Sequence, residues 1–260
     1  MTTDIDWLAD LRCRADRAPN PPREALCIEG QVCGAVEPGL ARRMQAAGLP
    51  LRQADDGQWA VNSPADESLH AMAHWLSRQG HGGRWRDELL AVTNDAGDAI
   101  ARVERAAVRA LGITTLAVHL VGTTASGMVW VQRRALDKAV DPGMLDTLVG
   151  GLVAAGEGIE PSLERETWEE AGLRLQQLRA LTPLGRTLVR RPVSDGYMAE
   201  RLEMYEAEVP DQHLPRNQDG EVMEFDCLNP ADLITRLRTG QFTLEASLIH
   251  AHWLKQHGHI

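Results

Sequence analysis

Three glutamates, Glu166, Glu169 and Glu170, stand at i, i+3 and i+4 in the segment GLVAAGEGIEPSLERETWEEAGL, residues 151–173. That spacing puts them on one side of an α-helix, where like charges a turn apart repel by about 0.2–0.5 kcal/mol per pair. Arg165 can relieve Glu169 one turn on, but one guanidinium cannot neutralise three carboxylates. A hard divalent cation can, because Mg²⁺ takes oxygen ligands, commonly carboxylates together with waters and substrate phosphates. The plainer alternative is a solvated acidic helix face. The helix itself is well marked: Pro161 suits a first turn, where its missing N–H costs nothing, and Gly172 suits a left-handed stop. At about 100° per residue, Leu163, Thr167, Trp168 and Ala171 share the other side, which is expected to face a core.

The spacing of the whole segment separates the two readings. Gly151, Glu157, Arg165-Glu166, Glu169-Glu170 and Gly172-Leu173 fall at intervals that resemble the full box of the Nudix hydrolases, with every charged and glycine position filled. Thr167 stands where that family has an aliphatic residue. The resemblance implies an α/β/α sandwich and cleavage of a diphosphate linked to another group. It also implies Glu166, Glu169 and Glu170 as ligands of Mg²⁺ (Mn²⁺ as the substitute), Arg165 orienting Glu169, and Glu157 as an accessory carboxylate. In such enzymes the general base often comes from outside the box. Glu221 and Glu224 are the candidates, and Glu221 is favoured for its place in Asp219-Gly220-Glu221-Val222. Arg134 and Lys138 are candidate phosphate clamps, although lone basic residues are equally common on a surface. His119 and Trp130 sit in apolar strands and read as core residues.

These groups need a scaffold, and periodicity outlines one. Residues 4–17 form an amphipathic pattern with Ile5, Leu8 and Leu11 on one face, broken by Asn20-Pro21-Pro22. Residues 25–36 suggest a short strand pair, and 39–47 a helix stopped by Gly48 and Pro50. Residues 51–53 and 59–61 flank Asp55-Asp56-Gly57 as a hairpin, and a helix is expected from 63 to 78. Residues 85–93 and 99–103 read as two strands around a turn, followed by a short helix at 105–110. A buried strand is expected at 116–121 with its hairpin partner at 128–133; after the box come 181–189, a long strand at 197–209, and 223–228 following Asp219-Gly220-Glu221-Val222. Helices begin at Pro230 and at 244. An N-terminal α+β domain over 1–112 and a Nudix domain over 113–260 are expected.

Composition restricts the function. Of the 260 residues, 43% are hydrophobic and 25% charged, ordinary for a chain with a real core. A net charge of −10 argues against non-specific nucleic-acid binding, which needs a basic footprint. Among 27 basic residues only Lys138 and Lys255 are lysines, which makes Lys138 conspicuous. Cys13, Cys27, Cys33 and Cys227 show no metal-ligand spacing. The opening MTTDIDWLADLRCRAD is acidic without an apolar segment, and no window has the ~20 apolar residues that a membrane span needs, so a cytoplasmic protein is expected.

Segments outside the box resemble one Nudix subgroup, which carries the N-terminal domain of thiamine pyrophosphokinase-related proteins and includes thiamine diphosphate phosphatases. The matching pieces include Trp85-Arg86-Asp87-Glu88, Leu111-Gly112-Ile113-Thr114, Val118-His119-Leu120, Pro142 to Asp146, and Asn217 to Val222. The implied activity converts thiamine diphosphate, or a damaged analogue, to the monophosphate and phosphate. A hydrolase of nucleoside diphosphate derivatives such as ADP-ribose is the rival within the class. A non-catalytic ligand sensor is the rival outside it, disfavoured because a pure binder has no need of every box glutamate. The expected partner is a small diphosphate, with no nucleic acid and no membrane; a homodimer is left open.

Overall fold

The computed structural model describes the backbone over residues 4–260 and the side chains over 7–260. Helix α1 (Asp4–Ala15) is followed by β1 (Glu24–Ile28), β2 (Gln31–Val36), α2 (Pro38–Ala46), β3 (Leu51–Gln53) and β4 (Trp59–Val61). Then come α3 (Ala65–Arg78), β5 (Leu89–Thr93), β6 (Ala99–Glu104) and, after a 3₁₀ turn, α4 (Val108–Leu111). The four short strands form a sheet in the order β2-β1-β4-β3, and β5 and β6 form a separate hairpin. Leu26, Trp59, Leu69, Met72, Leu90 and Leu111 share their core, all at most 2% exposed. Helix α1 belongs elsewhere, since Leu11 and Ala15 pack with the second half of the chain. Ile5, expected on its apolar face, lies outside the described side chains.

The second half begins with β7 (Thr114–Thr123), β8 (Val129–Arg134), β9 (Leu145–Asp146), β10 (Val149–Leu152) and α5 (Ile159–Ala171). It continues through β11 (Arg179–Val193), β12 (Gly196–Glu208), β13 (Val222–Leu228), α6 (Pro230–Arg238) and α7 (Leu244–Gln256). The main sheet runs β11-β12-β7-β8-β13, with β10 paired to β7 and β9 to β8. One face buries Val118, Leu120 and Leu148 against Leu163 and Ala171 of α5. The other buries Ala117, Leu202 and Met204 against Leu237 of α6 and Ile249 and Leu254 of α7. These layers make the expected α/β/α sandwich with an additional α+β unit before it.

Strand β7 matters most for the site. Along one flank it pairs in parallel with β12, while the other is shared by β10, opposite residues 117–120, and β8, opposite only Gly122 and Thr123. Strands β8 and β10 therefore diverge and leave a gap in the sheet.

Two expectations fail. Residues 85–88 are not strand: Trp85 Nε1 donates to Asp87 Oδ1 at 2.6 Å, and Asp87 takes φ +57°, so the ladder starts only at Leu89. Asp tolerates that left-handed turn better than most residues. Trp168 is not core either; it is 39% exposed, with the Arg174 guanidinium 3.9 Å from its ring centre. Glu170 is buried in its stead, beside Ser162 and Thr167. The Thr167 hydroxyl is buried without a hydrogen bond among the described residues.

Candidate active site

Helix α5 carries the box glutamates to the gap between β8 and β10. Its N-cap is Gly158, and its C-cap Gly172 has φ +63°, with its N–H returned to the Thr167 and Trp168 carbonyls. Glu170 enters the gap: one oxygen accepts from the Gly150 N–H at 2.8 Å and from Gln132 Nε2 at 2.9 Å, and the residue is 2% exposed. Glu166 lies against β10 so closely that a Cβ on Gly151 would come within 2.0 Å of its carboxyl carbon. A side chain there would push the Glu166 carboxylate aside.

Charge is badly balanced there. Arg165 Nη1 donates to Glu166 at 2.6 Å and Glu169 at 3.1 Å, while its Nε and Nη2 grip Glu157 at 3.0 and 2.9 Å. Those hydrogen bonds hold the Glu157 carboxyl down to about 2. Burial wins at the other two positions: Glu166 is pushed up to about 7 and Glu170 to about 8, with repulsion from Glu166 adding to the latter. A carboxyl that resists ionisation in this way marks a place short of positive charge.

Lys138 from the loop after β8, Glu221 from just before β13 and Arg134 at the end of β8 face Glu166, all around one cavity of about 380 Å³. Lys138 forms an ion pair with Glu221. Burial opposes ionisation of Glu221, but the Lys138 hydrogen bond and charge, aided by Arg105 and Arg86, hold its carboxyl below the usual range. Arg134 is committed to Asp146 at 2.9 Å and the Val140 carbonyl at 3.1 Å. Glu224 is apart from this group: it accepts from Arg133 Nε at 2.6 Å, its side chain is 57% exposed, and it does not line the cavity. His119 is buried with Nδ1 3.0 Å from Thr147 Oγ1, and Trp130 packs beside the α5 core.

Among the described residues, no three His, Cys, Asp or Glu side chains have already converged on one metal position. The donor set nevertheless suits a hard divalent ion. Its atoms are carboxylate oxygens, one guanidinium serves both Glu166 and Glu169, and Glu170 has no cationic partner within ion-pair distance among the described residues. Glu166, Glu169 and Glu170 are the residues that would hold such an ion, and Arg165 shares the first two.

Other groups were not foreseen from the sequence. Gln132 holds Glu170, and Asp146 holds Arg134. At the far end of the cavity Glu200 accepts from Thr115 Oγ1 at 2.9 Å, and Glu245 from Arg191 at 3.2 Å. Burial, then repulsion from Glu245, raises the Glu200 carboxyl. Glu245 could have been noticed as an acid in the first turn of the otherwise apolar LEASLIHAHWL. Glu200, in a strand with acids on both faces, gave no such signal.

Comparison with known proteins agrees with this geometry. A model of the NUDIX domain matches residues 113–248. Nudix hydrolase 24, chloroplastic, of Arabidopsis thaliana is 31% identical over 89% of this chain and 67% of its own length. Nudix hydrolase 20, chloroplastic, of the same plant is 34% identical over 61% of this chain, which spans 43% of that relative. The solved structure of DR0079 from Deinococcus radiodurans shares the fold, with a TM-score of 0.51 at 23% identity, over 64% of this chain and 99% of that one. Sheet, gap, box helix and domain match lead to one assignment: this chain belongs to the Nudix hydrolase family.

Proposed function

We propose that the chain is a Mg²⁺-dependent diphosphatase that converts thiamine diphosphate, or a damaged analogue, and water to thiamine monophosphate and phosphate. Nudix hydrolases act on phosphoric anhydrides and generally need a divalent ion. When bound, that ion supplies charge neutralisation for the phosphates and makes a water a better nucleophile. Glu221, held ionised beside Lys138, is suited to take the proton of the attacking water. Lys138 is placed to meet a phosphate oxygen when it turns from Glu221, as a point charge does.

One observation favours a thiamine-type head over a nucleoside: the cavity has no Phe, Tyr or Trp among its described lining residues, and at its far end Glu200 accepts from Thr115 without an ion-pair partner among them. On β7, His119 is paired with Gly150, where Glu170 sits, and Thr115 holds Glu200. Four residues of strand separate the rows by about 13 Å. Glu200 offers a carboxylate to a cationic ring at that distance, Glu245 being paired with Arg191, whereas an adenine would find no Phe, Tyr or Trp to stack upon.

The division at residue 112 and a cytoplasmic location belong to the same proposal. Both plant relatives are named chloroplastic, and among the described residues no helix is long and apolar enough to cross a membrane. Phosphate release from a panel of diphosphates tests the activity. Thiamine diphosphate should be turned over with Mg²⁺, and excess EDTA should stop it. Full turnover in EDTA, or none of any diphosphate with Mg²⁺, would refute it.

A further inference from the structure

The cavity has a wall that the Nudix half does not supply. Its lining includes Arg84, Arg86 and Arg105 from the N-terminal half, opposite Lys138, Glu166 and Glu221. The loop carrying the first two is held firmly although it is not strand. Trp85 stacks on His74 with ring centres 4.4 Å apart, and the Arg86 N–H donates to the buried Glu104 at 2.9 Å. Glu104 also caps the 3₁₀ turn that bears Arg105, and Arg105 is fixed by Glu88 at 2.7 Å. No carboxylate among the described residues pairs with the side chain of Arg84 or Arg86, unlike Arg102, which is spent on Asp66 at 2.9 Å. The same half grips the box from behind: Ala155 N–H donates to the Leu89 carbonyl at 2.8 Å, next to a bridge between Leu90 and Ala154, in the loop that carries Glu157.

We infer that the N-terminal half is a working wall of the substrate site, with Arg86, supported by Arg105, binding the phosphate-bearing end of the substrate. The reason is charge. A diphosphate brings two to three negative charges to a place already holding buried carboxylates. Even with a divalent ion in place, Arg134 is tied to Asp146, and Lys138 must leave Glu221 before it can meet a phosphate oxygen. Arg86 is the cation on this cavity that is both anchored through its backbone and free at its guanidinium, and that group suits bidentate contact with phosphate oxygens. This inference rests on the diphosphatase reading but not on thiamine as the head group.

Binding of inorganic diphosphate with Mg²⁺ to the full chain, followed by calorimetry, provides the test. Arg86→Ala should bind about tenfold more weakly, Arg86→Lys should recover part of the loss, and Arg102→Ala should match the wild type. For the preferred substrate, Arg86→Ala should raise KM more than it lowers kcat. Arg86 is exposed and unpaired, so its variant should melt with the wild type; Arg105→Ala loses an ion pair and serves only in support. Wild-type affinity in Arg86→Ala would overturn the inference and leave the diphosphatase reading standing. A wild type that neither binds nor cleaves any diphosphate would overturn both.

Discussion

The two ends of the cavity are both acidic, yet they are built in different ways. At the box end the carboxylates come from one helix at i, i+3 and i+4, and Arg165 reaches Glu157, Glu166 and Glu169 at 2.6–3.1 Å. Glu170 receives only an amide and a backbone N–H. At the far end Glu200 comes from β12 and accepts from Thr115, while Glu245 comes from α7 and is ion-paired with Arg191. Charge concentrated by local spacing calls for a metal ion; charge gathered by tertiary folding can be matched by a cationic part of a ligand. The difference divides the work between breaking a bond and choosing a substrate.

Five substitutions and one titration would break or sharpen that division. Glu170→Gln should have the largest effect, removing turnover by about 10³-fold while the thermal midpoint holds; activity near wild type would mean that the box end does no chemistry. Glu221→Gln should lower kcat by about 10²–10⁴ with Glu224→Gln close to wild type, since Glu224 is outside the cavity and held by Arg133. If the pair behaves the other way round, the base has been misplaced.

His119 and His250 are both buried, and burial lowers both imidazoles, His250 to about 4 from 6.5. The unfolded chain takes up that proton near pH 6.5, and the folded chain resists until about pH 4. The stability contributed is therefore complete above pH 6.5 and is lost as pH falls from 6.5 to 4, about 3 kcal/mol for His250. Denaturant titrations at pH 7 and 4.5 should show a smaller acid loss in His250→Leu than in the wild type; equal losses would count against it. Glu200→Gln should raise KM for thiamine diphosphate by about tenfold and leave binding of inorganic diphosphate unchanged. The smallest effect is expected at Thr167→Val, which removes a buried hydroxyl without a partner and should stabilise by about 1 kcal/mol, seen as a higher thermal midpoint.

The same contrast explains what could be read in the sequence. The box helix, the buried strands β7 and β8 and the final helix were legible because period and punctuation are local. Trp168 was misplaced because a helical wheel gives a direction but not the width of the buried stripe; Glu170 took the buried place because Gln132 and Gly150 offer it hydrogen bonds from other strands. Trp85–Glu88 read as strand because the side-chain bond that turns it is invisible to alternation. Glu200 and the Arg86 wall were out of reach, since each acquires its role only from elements far away in the chain.

The ratio of kcat/KM for thiamine diphosphate to that for ADP-ribose, at equal Mg²⁺, tests the two-ended cavity most directly. A ratio well above one in the wild type that falls in Glu200→Gln is the predicted result. A clear preference for ADP-ribose would contradict it, leaving the chain a Nudix hydrolase whose far carboxylates do not select the substrate.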